Sequence, residues 1–148
     1  MTRSELSAKI QSIKCAKQLS WNQIALEISD ASPITTTAAL FGQMRLSRDE
    51  AASAARVLDL TDEEAQLLTQ IPYRGSLPAG PPTDPLIYRL YELLQVYGTT
   101  LMALIEEEFG DGIMSAIDFE MALERVADPK GDRVRITLNG KFLPYRRF

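Results

Sequence analysis

Residues 110–124 of the chain read GDGIMSAIDFEMALE. Apolar side chains recur along one parity of this stretch, at Ile113, Ile117, Phe119, Met121 and Leu123. A period of two is typical of a β-strand with one buried face. The row has one exception, Ser115, which puts a hydroxyl where the pattern favours an aliphatic side chain. The stretch therefore predicts a strand, and Ser115 is its unusual position.

The sequence on either side of this strand predicts a small α+β module. After a proline- and glycine-rich stretch at 71–85, Pro85 is suited to the first position of a helix. We expect Gly98 to end this helix and a second helix to follow it. The segment 127–133 should turn the chain into another strand, and the dipeptide Asn139–Gly140 predicts a tight hairpin after that. Two helices and two or three strands are expected here.

The N-terminal half carries three copies of the capping-box pattern S/T-x-x-E/Q, at Ser20–Gln23, Ser47–Glu50 and Thr61–Glu64. This pattern marks the first turn of a helix, and apolar residues at helical spacing follow each copy. We therefore predict a bundle of five short helices. The fold class is mainly α, with a small α+β module at the C-terminus.

The chain divides into two parts joined by a linker. We predict a helical bundle over 1–75, a linker over 76–84 and the α+β module over 85–148.

Histidine is absent and Cys15 is the only cysteine, so Ser–His–Asp triads, Cys–His pairs and zinc clusters are excluded. There is no glycine-rich phosphate loop, no apolar run long enough for a membrane span and no signal-peptide core. A cytoplasmic location is expected by default.

Residues 19–47 have the pattern of a helix-turn-helix, which raises DNA binding as a function. Residues 18–71 hold three arginines against eight acidic side chains. Because DNA affinity comes mainly from neutralising phosphates with Lys and Arg, this segment would be repelled. We therefore interpret the helix-turn-helix as a scaffold or interface. A helix-turn-helix regulator whose C-terminal half only dimerises is the alternative function.

Three polar residues of the second module are candidates for chemistry. Arg89 and Glu92 are three apart and share a helix face, so they form a surface ion pair, or else Arg89 binds an anion while Glu92 orients it or handles a proton. Arg89 is the only basic residue in 81–124, and its guanidinium offers a rigid fork of donors. Ser115 either bonds a neighbouring backbone carbonyl or donates its hydroxyl to a ligand.

The second module is too small to cover its own apolar strand faces. A lone hairpin is marginal in water, and few partners for it are predicted within the chain. We therefore expect the strands to pair or pack with another subunit of a symmetric oligomer.

The stretch YRLYELLQVYGTTLMALIEEEFGDGIMSAIDF, residues 88–119, closely resembles the signature region of the cyanase family, also called cyanate hydratase or cyanate lyase. The resemblance continues through VADPKGDRVRITLNGKFLPYRRF at 126–148. It is weaker in LSWNQIA, TAALFGQMRLSRDEA and IPYRG of the helical half. Met102 and Glu106 depart from the residues expected in relatives, and we expect them to alter surface charge rather than chemistry.

The resemblance implies an activity, a site and an assembly. Cyanases convert cyanate and bicarbonate to carbon dioxide and carbamate, which releases ammonia and a second carbon dioxide, without a metal or organic cofactor. Their catalytic arginine, glutamate and serine match Arg89, Glu92 and Ser115. Their N-terminal bundle is helix-turn-helix-like (lambda-repressor-like) without a DNA role. Their C-terminal modules intertwine as dimers, and five dimers form a homodecamer with active sites at subunit interfaces. A non-catalytic anion-binding oligomer is a further alternative.

Overall fold

Capping boxes start four helices of the N-terminal half. The computed structural model describes residues 1–75 and 79–146. In it the hydroxyls of Thr2, Ser20, Ser47 and Thr61 each accept a hydrogen bond from the backbone N–H three residues later. The Glu or Gln at that later position accepts a bond from the backbone N–H of the cap in return. The three predicted boxes are therefore confirmed, and Thr2 adds a fourth.

The N-terminal unit, Met1–Ser76, packs its helices around one apolar core. The helices are α1 (Arg3–Ala16), α2 (Trp21–Ile28), α3 (Pro33–Leu40), α4 (Arg48–Leu58) and α5 (Asp62–Thr69). Each of the five contributes at least one fully buried aliphatic side chain: Leu6, Ile10, Ile24, Leu40, Leu58 and Leu68. This unit therefore buries its own hydrophobic surface, which is the main source of its stability.

An ion pair ties α1 to α5 at the edge of this core. The Lys9 ammonium lies 2.6 and 2.7 Å from the two carboxylate oxygens of Glu64. Glu64 is buried and also accepts the backbone N–H of Thr61 in the capping box of α5. The bond from Lys9, followed by the bond from Thr61, holds the pKa of Glu64 below its ordinary value.

The Lys9–Glu64 pair predicts an acid-sensitive contribution to stability. Because the pKa of Glu64 is lower in the folded chain, its contribution is full above the ordinary value of 4.5 and is lost as the pH falls below it. Glu64→Gln keeps the capping box but removes the charge, so we expect lower stability at pH 7 and a flatter loss in acid. Denaturant unfolding measured from pH 7 to pH ~3 tests this. Glu63→Gln, at the exposed neighbouring position, is the control, and parallel pH profiles for Glu64→Gln and wild type would contradict the prediction.

One long helix, α6 (Pro85–Phe109), opens the second unit, Leu77–Phe148. The Asp84 carboxylate caps it by accepting the backbone N–H groups of Leu86 and Ile87 at 2.9 and 3.0 Å. The predicted break at Gly98 is wrong, because a glycine that keeps helical torsions weakens a helix by only about 1 kcal/mol. The helix ends instead before Gly110, whose φ of 87° no longer fits a helix.

The two strands β1 (Gly112–Val126) and β2 (Arg133–Pro144) form an antiparallel pair. The predicted strand around 110–124 and the predicted turn at 127–133 are confirmed. The hairpin predicted at Asn139–Gly140 is wrong, since β2 runs through this dipeptide without a turn. The turn is made earlier, where the Asp128 carboxylate accepts the N–H of Lys130 and Gly131 takes a φ of 120°.

The second unit leaves most of its large apolar side chains exposed within one chain. None of the 25 residues of α6, all of which the structure describes, is buried. Ile117 of β1 is 97% exposed, and Leu123 and Leu138 are exposed as well. The coarse fold prediction is thus confirmed: a mostly helical chain with a small two-stranded antiparallel sheet near its C-terminus. Burial of one strand face, which the sequence also predicts, does not occur within the single chain.

Residues 76–78 of the predicted linker and residues 147–148 of the last predicted strand segment lie outside the described residues. Among the helices that are described, none combines the length and apolar character needed to cross a membrane.

Candidate active site

Arg89 and Glu92 form an ion pair on α6. The Asp84 cap and Pro85 set the start of the helix, so the two residues lie one turn apart on one face. Nη1 of Arg89 donates a hydrogen bond to Oε2 of Glu92. The Arg89 side chain is 76% exposed, so the pair stands on an open surface of the chain. The structure therefore brings these two predicted residues together.

This arrangement leaves Arg89 with most of its donor capacity. A guanidinium carries five N–H groups, and the bond to Glu92 occupies only Nη1. Two parallel N–H groups of such a fork match the two oxygens of a small planar anion. Glu92 accepts one of these N–H groups and leaves the others for a ligand. Beside the pair, the rings of Tyr88 and Tyr91 pack at a centroid distance of 6.2 Å.

Ser115 lies in an irregular part of β1. Met114 pairs with Phe142 and Phe119 pairs with Gly140, so the residues 115–118 lie opposite the single residue Lys141. This segment, which we call the β1 bulge, therefore has more residues than the part of β2 that lies opposite it. Bulges of this kind bend a strand and redirect a side chain, and they are frequent beside active sites.

The Ser115 hydroxyl holds the β1 bulge together. Its oxygen accepts the backbone N–H of Ile117 at 3.0 Å and that of Asp118 at 2.9 Å, and the residue is only 5% exposed. Of the two alternatives for Ser115, the bond to a neighbouring backbone carbonyl is not among the hydrogen bonds of the described residues, in which the hydroxyl acts as an acceptor. Ser115 stands in the apolar row because the two N–H groups of the bulge need an acceptor that an aliphatic side chain lacks.

The same geometry leaves the hydrogen of the hydroxyl available. A serine hydroxyl has two acceptor lone pairs and one donor hydrogen. Both recorded hydrogen bonds of Ser115 use lone pairs, so its hydrogen can be donated to another acceptor, such as an anion. Ser115 is therefore oriented by the protein and still able to bind a ligand.

The structure of one chain does not join Ser115 to Arg89 and Glu92. The hydrogen bonds described for Ser115 stay within the β1 bulge, and the one described for the Arg89 side chain goes to Glu92. Sequence reasoning missed two groups at the bulge: the Asp118 carboxylate and the Lys141 ammonium, which lie 3.7 Å apart. A contact between residues on different strands has no local sequence signal.

Metal chemistry has no visible support in the described ranges. Across residues 1–75 and 79–146, no group of three or more His, Cys, Asp or Glu side chains is arranged to hold a metal ion.

Known proteins resemble the chain over its whole length. The family model described as cyanate hydratase, N-terminal, matches residues 3–72, and that described as cyanate lyase C-terminal domain matches residues 79–147. The chain is 57% identical to the cyanate hydratase of Thiobacillus denitrificans and 56% identical to that of Dechloromonas aromatica, over 100% of each chain. The crystal structure of cyanase from T. urticae has a TM-score of 0.81 and 37% identity, covering 94% of this chain and 96% of that one.

A helical unit followed by a helix and a two-stranded sheet, matched from end to end by enzymes of one kind, defines an enzyme of the lyase class. The chain belongs to the cyanate lyase family, whose members are also called cyanate hydratases. The family and the enzyme class predicted from the sequence are therefore confirmed.

Because the Ser115 hydroxyl accepts two hydrogen bonds, we expect its removal to lower the stability of the folded chain. In Ser115→Ala the N–H groups of Ile117 and Asp118 lose their acceptor in a partly buried bulge, and an internal hydrogen bond of this kind typically contributes about 0.5–1.5 kcal/mol to stability. We expect a lower melting temperature, measured by thermal unfolding. Ser12→Ala is the control, because its hydroxyl donates to a carbonyl on an exposed helix face. An unchanged melting temperature for Ser115→Ala would mean that the bulge does not depend on the hydroxyl.

Proposed function

We propose that the chain decomposes cyanate in a reaction that depends on bicarbonate. Cyanate, bicarbonate and one proton give carbon dioxide and carbamate, and carbamate takes up a second proton to release ammonia and another carbon dioxide. The observation that carries the proposal is the full-length similarity to proteins named cyanate hydratase. The exposed Arg89 fork and the free hydrogen of Ser115 support it, since both are donors suited to small anions.

Arg89 addresses the main obstacle to this reaction, which is the repulsion between two anions. A positive guanidinium offsets that repulsion, and binding both reactants at one place removes much of the entropic barrier to their encounter. Arg89 is suited to the task because it is the only basic residue in 81–124 and because Glu92 fixes its orientation. Glu92 is thus proposed as the residue that orients the anion-binding arginine.

Ser115 supplies the second donor of the proposed site. Its lone pairs accept bonds from the β1 bulge, which leaves the hydroxyl hydrogen for donation to an acceptor such as an anion. A donor fixed before the reaction stabilises developing negative charge without reorganising, and one such donor is typically worth a factor of ~10²–10³ in rate.

A complete site needs more than one chain under this proposal. Arg89 and Ser115 do not share a hydrogen bond in a single chain, and the C-terminal unit exposes apolar side chains on both α6 and β1. Association of copies through these surfaces would cover them and bring residues of different chains together. We propose a homodecamer built from five dimers, with intertwined C-terminal modules and active sites at subunit interfaces.

The remaining parts of the proposal concern the cofactor, the partners and the location. The enzyme uses no metal or organic cofactor, and bicarbonate acts as a co-substrate. The units follow the predicted boundaries of 1–75 and 85–148, joined by the linker at 76–84. The bundle over 1–75 is a helix-turn-helix-like (lambda-repressor-like) scaffold that does not bind DNA, and the enzyme works in the cytoplasm without contacting a membrane.

The proposed reaction predicts ammonia release from cyanate that requires bicarbonate and is insensitive to chelators. An ammonia assay with and without bicarbonate, run on fractions separated by sedimentation velocity, tests both the reaction and the assembly. We expect activity only in the oligomeric fraction. Ammonia production at the uncatalysed rate by an intact oligomer would refute the activity, and a fully active monomer would refute the interface site.

The Arg89→Lys variant tests whether Arg89 binds an anion or only forms a surface ion pair. Lysine keeps the charge but loses the two-pronged donor geometry, so we expect turnover to fall by a factor of at least ~10² while the chain stays folded. Steady-state ammonia kinetics measure the loss, and oxalate, a small dianion, should inhibit the wild type more strongly than the variant. Arg125→Lys is the matched control, since Arg125 is an exposed arginine of the same unit paired with Asp132. Equal rates for Arg89→Lys and Arg125→Lys would show that Arg89 is a surface residue with no role in the reaction.

A further inference from the structure

Gly140 of β2 lies directly against the β1 bulge. A Cβ atom built on this glycine would be 2.4 Å from the carbonyl oxygen of Ser115 and 2.5 Å from Cγ of Met114. Apart from atoms of its own residue and of its two chain neighbours, a real Cβ atom essentially never has another heavy atom within 3.0 Å. The strand pair can therefore adopt this spacing only with hydrogen, and no side chain, at position 140.

Any side chain at position 140 would have to push the backbones of β2 and of Ser115 apart. Met114 can give way, because its side chain is flexible and exposed, but the Ser115 carbonyl is part of the backbone. The two backbones would have to separate by at least 0.6 Å, which is the difference between the two distances of 2.4 and 3.0 Å. The hydroxyl belongs to the same residue, so the displacement would reach its bonds with Ile117 and Asp118.

We propose that Gly140 is a positioning residue for the reaction, because its missing side chain lets β2 approach the β1 bulge and hold the Ser115 hydroxyl in place. The proposal rests on the proposed function in assigning Ser115 to the site. It also accounts for the Asn139–Gly140 dipeptide inside a continuous strand: the glycine is needed for a close approach of two backbones and not for a turn.

The effect of disturbing this contact should be larger on rate than on binding. A displacement of about 1 Å at a reacting group can cost ~10²-fold in rate. Because the hydroxyl is proposed to stabilise charge that develops during the reaction, its displacement should lower kcat more than it raises KM. For Gly140→Ala we expect kcat to fall by about tenfold to a hundredfold, with KM for cyanate changed by less than about threefold.

A double-mutant cycle distinguishes positioning from general destabilisation. If Gly140 acts through the Ser115 hydroxyl, Gly140→Ala should lower kcat in the wild-type background and have little effect in the Ser115→Ala background. A purely structural role would lower the rate by the same factor in both backgrounds. Equal factors, or a wild-type kcat for Gly140→Ala, would overturn the proposal.

Two further variants serve as controls. Gly112→Ala introduces a comparable close contact, 2.5 Å from the Leu143 carbonyl, without touching Ser115, so any loss it causes should persist in the Ser115→Ala background. Met114→Ala/Gly140→Ala relieves the side-chain clash and keeps the clash with the Ser115 carbonyl, so it isolates the effect of the backbone contact. Its kcat should stay low relative to Met114→Ala, and recovery to that level would overturn the proposal.

Amide hydrogen exchange gives a measurement that does not depend on activity. In the wild-type oligomer the N–H groups of Ile117 and Asp118 should be protected by the Ser115 hydroxyl, and Gly140→Ala should speed exchange at these two amides more than at Met121 or Leu123. Unchanged exchange at both amides would overturn the proposal even if the wild type decomposes cyanate. A wild type without cyanate activity would instead refute the proposed function, with the exchange result still reporting on the bulge.

Discussion

The strands β1 and β2 pair only with each other among the described residues, and this constraint governs the rest of the C-terminal unit. A two-stranded sheet is marginal in water because it has two open faces and few cross-strand contacts. The helix α6 does not supply a buried core either, since all of its residues remain at least partly exposed. The N-terminal unit differs, because α1–α5 bury a core of their own. Order in the C-terminal unit therefore depends on what covers its apolar surfaces.

The β1 bulge satisfies two of its own backbone hydrogen-bond donors within the chain. Its two backbone N–H groups would lack acceptors, and the Ser115 hydroxyl supplies both bonds from inside the chain. The hydroxyl is thus oriented before any ligand arrives, which is the condition under which a donor stabilises charge most effectively. On α6 the Arg89 guanidinium donates a hydrogen bond to Glu92. Each candidate residue is bonded within its own element, and the proposed assembly would supply their juxtaposition.

The sequence predicted the parts of the structure that depend on neighbouring residues. The capping boxes at Ser20, Ser47 and Thr61 depend on contacts three residues apart, and the strand around Ser115 on alternation along the chain. The ion pair of Arg89 with Glu92 follows from helical spacing. The errors at Gly98 and Gly140 have one cause: a glycine signals conformational freedom, but only its surroundings determine whether that freedom is used for a turn. The bulge itself depends on the register between two strands, which the sequence of either strand does not contain.

The open faces of the C-terminal unit have a consequence for how the two units respond to dilution. A unit that buries its own core has a stability independent of protein concentration. A unit that gains its stability from other copies follows mass action, so its apparent melting temperature rises with concentration and falls on dilution. Under the proposed assembly, dilution is therefore expected to affect the two halves of the chain differently, with the helical bundle persisting after the strand pair has lost its order.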